Sequence, residues 1–163
     1  MESHQTLSIS LGKLLLKHQQ ILATAESCTG GGVATAVTDI SGSSAWFDRA
    51  FVTYSNEAKM EMLGVQVSSL ESYGAVSDIV VKEMVLGALR HSNATIAVSI
   101  SGIAGPSGGS DDKPVGTVCF AWANKEGWLK VSTHCFDGNR SQVRSQAVEH
   151  AIKILCEYMS EAA

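Results

Sequence analysis

The chain has 163 residues, of which 45% are hydrophobic and 17% charged with both signs scattered, so it lacks the low hydrophobicity and high charge that keep a segment disordered. Its formal charge of -4, with 12 Lys plus Arg, gives no broad basic surface for neutralising phosphates along a duplex, and no nucleic-acid partner is expected. The length suits one domain, residues 1–163, in which about two-thirds of the surface of the unfolded chain is buried.

No apolar stretch approaches the roughly 20 residues of a spanning helix, so no membrane partner is expected. Cys28, Cys119, Cys135 and Cys156 lie far apart with no C-x-x-C pair, and the N-terminus lacks the basic, apolar, small-residue order of a signal peptide. A soluble protein of the reducing cytoplasm fits best.

Leu7, Leu11, Leu14, Leu15 and His18 recur at helical spacing and predict an amphipathic helix over residues 5–18. Residues 21–25 read as a short buried strand. The glycines that follow lead into Val33, Ala34, Ala36 and Val37, a compact helix ending near residues 39–42. Residues 49–54 read as a second strand, with Ser55 or Asn56 capping a short helix through Leu63. Ser77 or Asp78 caps a stronger helix whose Val80, Val81, Met84, Val85, Ala88 and Leu89 form one apolar stripe.

A third strand is predicted over residues 94–101, and both prolines fall in the glycine-rich loop at 102–114. Residues 115–123 and 128–136 flank Asn-Lys-Glu-Gly and read as a hairpin. A last helix covers residues 139–159, with Val148, Ala151, Ile152, Leu155 and Met159 facing the core. Strands separated by helices, with one late hairpin, imply an α/β fold: a mixed sheet with helices on both faces.

In an open α/β sheet the ligand crevice lies beyond the carboxyl ends of the strands, and three suggestive segments fall there, at residues 26–32, 54–59 and 101–109. In the first, Gly30, Gly31 and Gly32 allow close backbone approach to a ligand at a helix N-terminus, and Ser27 offers a nucleophile. The alternative is that Glu26, Ser27 and Thr29 only make turn and cap hydrogen bonds. A serine needs a base, and no G-x-S-x-G elbow with His and Asp partners is present.

Lys59 is the candidate base, because a desolvated amine can lose its proton near neutral pH. Tyr54 would relay a proton or orient the lysine. Against this, Lys59 also reads as a solvated helix lysine, Tyr54 as a core aromatic and Cys28 as a small buried hydrophobe. The stretch from Gly102 to Ser110 either wraps a ligand or is a mobile surface loop. Arg140 and Arg144, one turn apart at the start of the last helix, either hold an anion or pair with a carboxylate such as Asp137. The five histidines show no paired metal-ligand spacing, so no metal site is expected.

The segments AESCTGG at 25–31, GSSAWFDRAFVTYSNEAKMEMLGV at 42–65, GAVS at 74–77, SISGIAGPSGGSDDKPVGTVCFA at 99–121 and the F-x-G-x-R pattern ending at Arg140 resemble the CinA C-terminal domain family over nearly the whole chain. The resemblance implies a three-layer α/β/α sandwich around a mixed, mostly parallel five-stranded sheet. It also implies hydrolysis of the carboxamide of nicotinamide mononucleotide to nicotinate mononucleotide and ammonia, in pyridine nucleotide recycling, without a cofactor or a metal.

By the same resemblance Ser27 is the nucleophile, Lys59 the base and Tyr54 an assisting hydroxyl near the lysine. Thr29, Gly30, Gly31, Ser101, Gly102 and Gly105 are substrate-binding positions, and Arg140 binds the phosphate, matching the family's arginine more closely than Arg144 does. Ser101 falls where many members carry threonine, and Gly32 where others often have a side chain. A homodimer is the expected assembly. The rival expectation is a non-catalytic nucleotide-binding or interaction module linked to competence or DNA-damage responses.

Overall fold

The structure is a computed structural model and describes residues 3–161. Helix α1 (His4–Lys17) starts at Ser3, whose hydroxyl accepts from the Thr6 amide, and it buries Leu7, Leu11 and Leu15. Burial of each such leucine contributes about 1.5–3 kcal/mol. Strand β1 (Leu22–Glu26) is buried along its whole length. It is followed by α2 (Gly32–Thr38), a single 3-10 turn at Ser43–Ala45 and β2 (Phe47–Val52). Then come α3 (Asn56–Leu63), α4 (Val67–Tyr73), α5 (Asp78–Arg90) and β3 (Ile96–Gly102). The hairpin of β4 (Thr117–Asn124) and β5 (Leu129–Cys135) leads into α6 (Arg140–Glu161).

The sheet order is β2-β1-β3-β4-β5. β2 and β3 flank β1 in parallel, β4 runs against β3, and β5 runs against β4, so β4 alone is reversed among these five strands. The expected mixed, mostly parallel sheet is therefore present. Leu22, Val98 and Phe120 pack beneath α1, α2 and α6 on one face, where Leu11, Val33 and Ile152 meet them. Ala25, Phe51, Ala97 and Ala121 pack on the other face against Leu63, Leu70, Val81 and Met84 of α3, α4 and α5. This is the α/β/α sandwich.

β3 and β4 begin two residues later than the sequence reading has them, at Ile96 and Thr117, and the 3-10 turn is absent from that reading; two further differences lie beside the site. β2 ends at Val52 rather than residue 54, because its ladder partner β1 ends at Glu26, opposite Val52. The helix α4 has no counterpart in that reading: it is seven residues long and buries only Ser69 and Leu70, too few to set up an apolar period.

Candidate active site

The register of the three parallel strands puts Glu26 of β1 beside Val52 of β2 and Ile100 of β3. The next residue on each strand, Ser27, Thr53 and Ser101, therefore comes to the same carboxyl edge of the sheet. The Ser27 amide donates to the Ile100 carbonyl at 3.0 Å and the Thr53 amide to the Glu26 carbonyl at 2.8 Å, which ties the three chain ends together. Ser55 caps α3 by accepting from the Ala58 amide at 3.0 Å, and this sets the helix so that Lys59 points back over the edge.

Lys59 is buried, with 1% of its surface exposed, so the reading of it as a solvated helix lysine is wrong. Its Nζ donates to Ser27 Oγ at 3.0 Å, to the Thr53 carbonyl at 2.9 Å and, more weakly, to the Tyr54 carbonyl at 3.4 Å. Two carbonyls can take both hydrogens of a neutral amine, which leaves its lone pair for the Ser27 hydroxyl. Burial holds the Lys59 pKa below the ordinary lysine value, and the Cys28 thiolate would oppose that shift. Burial also pushes the Cys28 thiol up to about 11, so at neutral pH this thiol carries no charge to offset the effect. Burial therefore makes the neutral form of this amine easier to reach than that of an ordinary lysine, and its carbonyl partners suit that form.

Ser27, Lys59, Tyr54, Ser101, Gly102, Gly105 and Arg140 all line one cavity of about 270 Å³. Its less polar wall is made by Ala75, Val76, Ile103 and Ala104. Tyr54 is 62% exposed, so it is not a core aromatic. Its hydroxyl accepts from Arg140 Nη2 at 3.1 Å, while Arg140 Nη1 donates to the Gly105 carbonyl at 2.8 Å. Tyr54 thus meets Lys59 through its carbonyl, and its hydroxyl lies with the arginine.

Arg144, one turn further along α6, lines a separate depression with Thr29 and Gly30. It donates to the carbonyls of Cys28 and Thr29, at 3.0 and 3.2 Å. Neither arginine pairs with Asp137; the salt bridge recorded among the described residues joins Arg49 to Asp48.

Thr29, Gly30 and Gly31 do not line the Ser27 cavity. Gly30 and Gly31 adopt φ of +59° and +94°, a left-handed backbone that turns the chain from β1 into α2. The Thr29 hydroxyl donates to Glu26 at 2.7 Å. Gly32 has a packing reason: a Cβ there would lie 2.8 Å from Val148 Cγ2 of α6.

The sequence reading did not place Thr53, Asn56, Ala75 and Val76 at the site, although it named Asn56 as a possible cap of α3. The first two adjoin Tyr54 and Ser55 in the strand-to-helix connection, and the last two belong to the GAVS segment, so proximity in motif was the available signal. Among the described residues, no three His, Cys, Asp or Glu side chains converge as metal ligands. No helix among them is long and apolar enough to cross a membrane.

Fold and site together define an α/β/α sandwich with a buried lysine against a serine at the carboxyl edge of its parallel strands. The chain belongs to the family described as the CinA C-terminal domain, whose model matches residues 4–159. It is 55% identical over 149 residues to "Nicotinamide-nucleotide amidohydrolase PncC" of Escherichia coli strain K12, covering 91% of this chain and 90% of that protein. It is 46% identical over 161 residues to a protein of the same name from Pseudomonas putida, covering 99% and 100%. The crystal structure of the competence damage-inducible protein A (ComA) from Klebsiella pneumoniae matches with a TM-score of 0.94 at 38% identity, covering 98% of each chain.

Proposed function

We propose that the protein is an amidohydrolase that converts nicotinamide mononucleotide to nicotinate mononucleotide and ammonia in pyridine nucleotide recycling, with Ser27 as nucleophile and Lys59 as base. The observation that carries this reading is the 3.0 Å contact between a desolvated lysine amine and a serine hydroxyl inside a cavity. The names of the relatives supply the substrate class.

Ser27 Oγ attacks the carboxamide carbon while its proton passes to Lys59 Nζ. The tetrahedral intermediate collapses with cleavage of the C–N bond, Lys59 returns the proton to the leaving nitrogen, and ammonia departs from an acyl ester on Ser27. Water then attacks the ester carbon as Lys59 takes its proton, and the Ser27 oxygen leaves with that proton restored.

Ser101 and the backbone of Gly102 steady the carboxamide oxygen, and the wall of Ala75, Val76 and Ile103 receives the pyridinium ring. Arg140 receives the phosphate, since two of its five N–H donors are used by Tyr54 and Gly105 and the others remain.

The test is incubation of the purified protein with nicotinamide mononucleotide, following ammonia and nicotinate mononucleotide and weighing the Ser27 peptide after rapid acid quenching. Equal release of both products, with an acyl adduct on Ser27 trapped from the wild-type protein during turnover, is the expected result. Absence of ammonia release overturns the substrate, and an adduct on Cys28 moves the nucleophile.

A further inference from the structure

Glu26 precedes the serine in sequence, is fully buried and is absent from the lining of the Ser27 cavity. Its Oε1 accepts from Thr29 Oγ1 at 2.7 Å and the Val33 amide at 2.9 Å, and its Oε2 accepts from Thr24 Oγ1 and the Ala34 amide, both at 3.0 Å. Two donors on each oxygen, and no acceptor, are the complement of a carboxylate. Strand alternation explains the placement: Thr24 and Glu26 share one face of β1, toward α2, while Ala25 belongs to the opposite face, toward α3 and Lys59.

We propose that Glu26 is the positioning residue of the nucleophile: by joining the strand before Ser27 to the turn and helix after it, the carboxylate fixes the Ser27 hydroxyl against Lys59. The brace grips both sides of the serine. Thr24 lies three residues before it, Thr29 two residues after, and the α2 amides hold the far end of the turn. Gly30 and Gly31 sit inside the braced span with left-handed backbones, so this short stretch has little stiffness of its own. The same geometry keeps a negative charge off the base. The carboxylate nearest to Ser27 in sequence is engaged on the other side of the sheet, and no carboxylate forms an ion pair with Lys59 among the described residues.

A Ser–Lys attack depends on alignment at the scale of an ångström, and misplacement by about 1 Å can cost on the order of a hundredfold in rate. Glu26→Gln replaces one acceptor oxygen by an NH₂ that faces donors, which breaks the brace with little change of volume. The inference rests on the Ser27–Lys59 reading above, so two readouts are needed: turnover of nicotinamide mononucleotide, and the rate at which Ser27 is labelled by a small fluorophosphonate, which needs no nucleotide.

In Glu26→Gln, kcat and the labelling rate both fall by about 10- to 100-fold, KM stays within about twofold, and the midpoint of the acid limb of kcat/KM does not move. Thr29→Val gives a smaller loss of the same kind, and adding it to Glu26→Gln has little further effect, because both remove one brace. This variant decides the matter if Glu26→Gln does not fold. Thr38→Ala, at the far end of α2, lowers the melting temperature through loss of the Thr38 hydroxyl bond to the Ala34 carbonyl and leaves kcat unchanged.

A Glu26→Gln or Thr29→Val enzyme with lower melting temperature but wild-type kcat and labelling rate overturns the proposal. So does an acid limb displaced by about a unit or more, since that would make Glu26 a charge partner of Lys59. If the wild-type protein labels at Ser27 in a Glu26-dependent way but releases no ammonia from the mononucleotide, the positioning role stands and the substrate reading falls. If Ser27 does not label at all, the positioning role and the assignment of Ser27 as nucleophile both fall.

Discussion

Lys59 Nζ lies 3.0 Å from Ser27 Oγ, and the two residues are 32 positions apart in the chain. The amine has carbonyl oxygens as its other partners, and burial lowers its pKa. Because only the neutral amine accepts a proton, kcat/KM is expected to fall as pH drops below the folded-state pKa of Lys59. Its plateau begins at a lower pH than an ordinary lysine would allow. Ser27→Ala and Lys59→Ala each lower kcat by more than about a thousandfold, and the double variant is no worse than either. Lys59→Arg keeps the positive charge but cannot deprotonate, so it is as inactive as Lys59→Ala. An active arginine variant would show that charge, not proton transfer, is the contribution.

The same burial has a cost in stability. Below the ordinary lysine pKa the unfolded chain holds a proton on residue 59 more readily than the folded chain does, so this group's contribution to stability rises with pH across the window between the two values. Lys59→Met removes that demand while filling similar volume. A higher melting temperature at neutral pH, with loss of turnover, is the expected outcome of calorimetry on this variant, and the gain shrinks as pH rises toward the ordinary lysine value.

Arg140 lines the serine cavity and Arg144 does not. Arg140→Ala is expected to raise KM for nicotinamide mononucleotide by about 10- to 100-fold, the range of one or two lost charge-assisted hydrogen bonds. The corresponding riboside, which has no phosphate, should be affected far less. Equal effects on both in steady-state assays would remove the phosphate from Arg140.

His150 sits among Phe120, Trp122, His134 and Phe136, and its Nε2 is buried without a hydrogen-bond partner. Burial, reinforced by His134, Lys153 and Lys130, lowers its pKa from 6.5 to about 4. The unfolded chain therefore binds a proton here that the folded chain refuses, and stability is lost as pH falls from 6.5 toward about 4. His150→Phe should resist that loss. Melting curves at about pH 7 and about pH 5 should show a smaller drop for the variant than for the wild type, with each 2–4 °C of difference worth about 1 kcal/mol in a chain of this size.

The element order, the sheet with helices on both faces and the three strand ends that meet at one edge are legible in the sequence, because apolar periodicity and turn residues are local signals. The stripe from Val80 to Leu89 predicts α5 well. α4 is not legible, since its seven residues carry too few buried positions, and β2 is misplaced by two residues because its end is decided by β1 rather than by its own composition.

At the site, the S-C-T-G-G turn and the AKMEML helix offer Ser27 and Lys59 as residue types capable of the proposed chemistry, and the family resemblance supplies the roles expected of them. Their meeting is a tertiary fact. It takes the parallel register of β1 and β2 to bring Ser27 beside Thr53, and the Ser55 cap to turn Lys59 back across the edge. Likewise, whether a lysine is solvated or stripped of water depends on what the rest of the chain packs over it. Arg140 and Arg144 look alike in sequence, one turn apart on one helix. What separates them is that the loop at Gly105 and the end of β2 close around the first, while the turn after Ser27 covers the second, and neither neighbour lies near them in the chain.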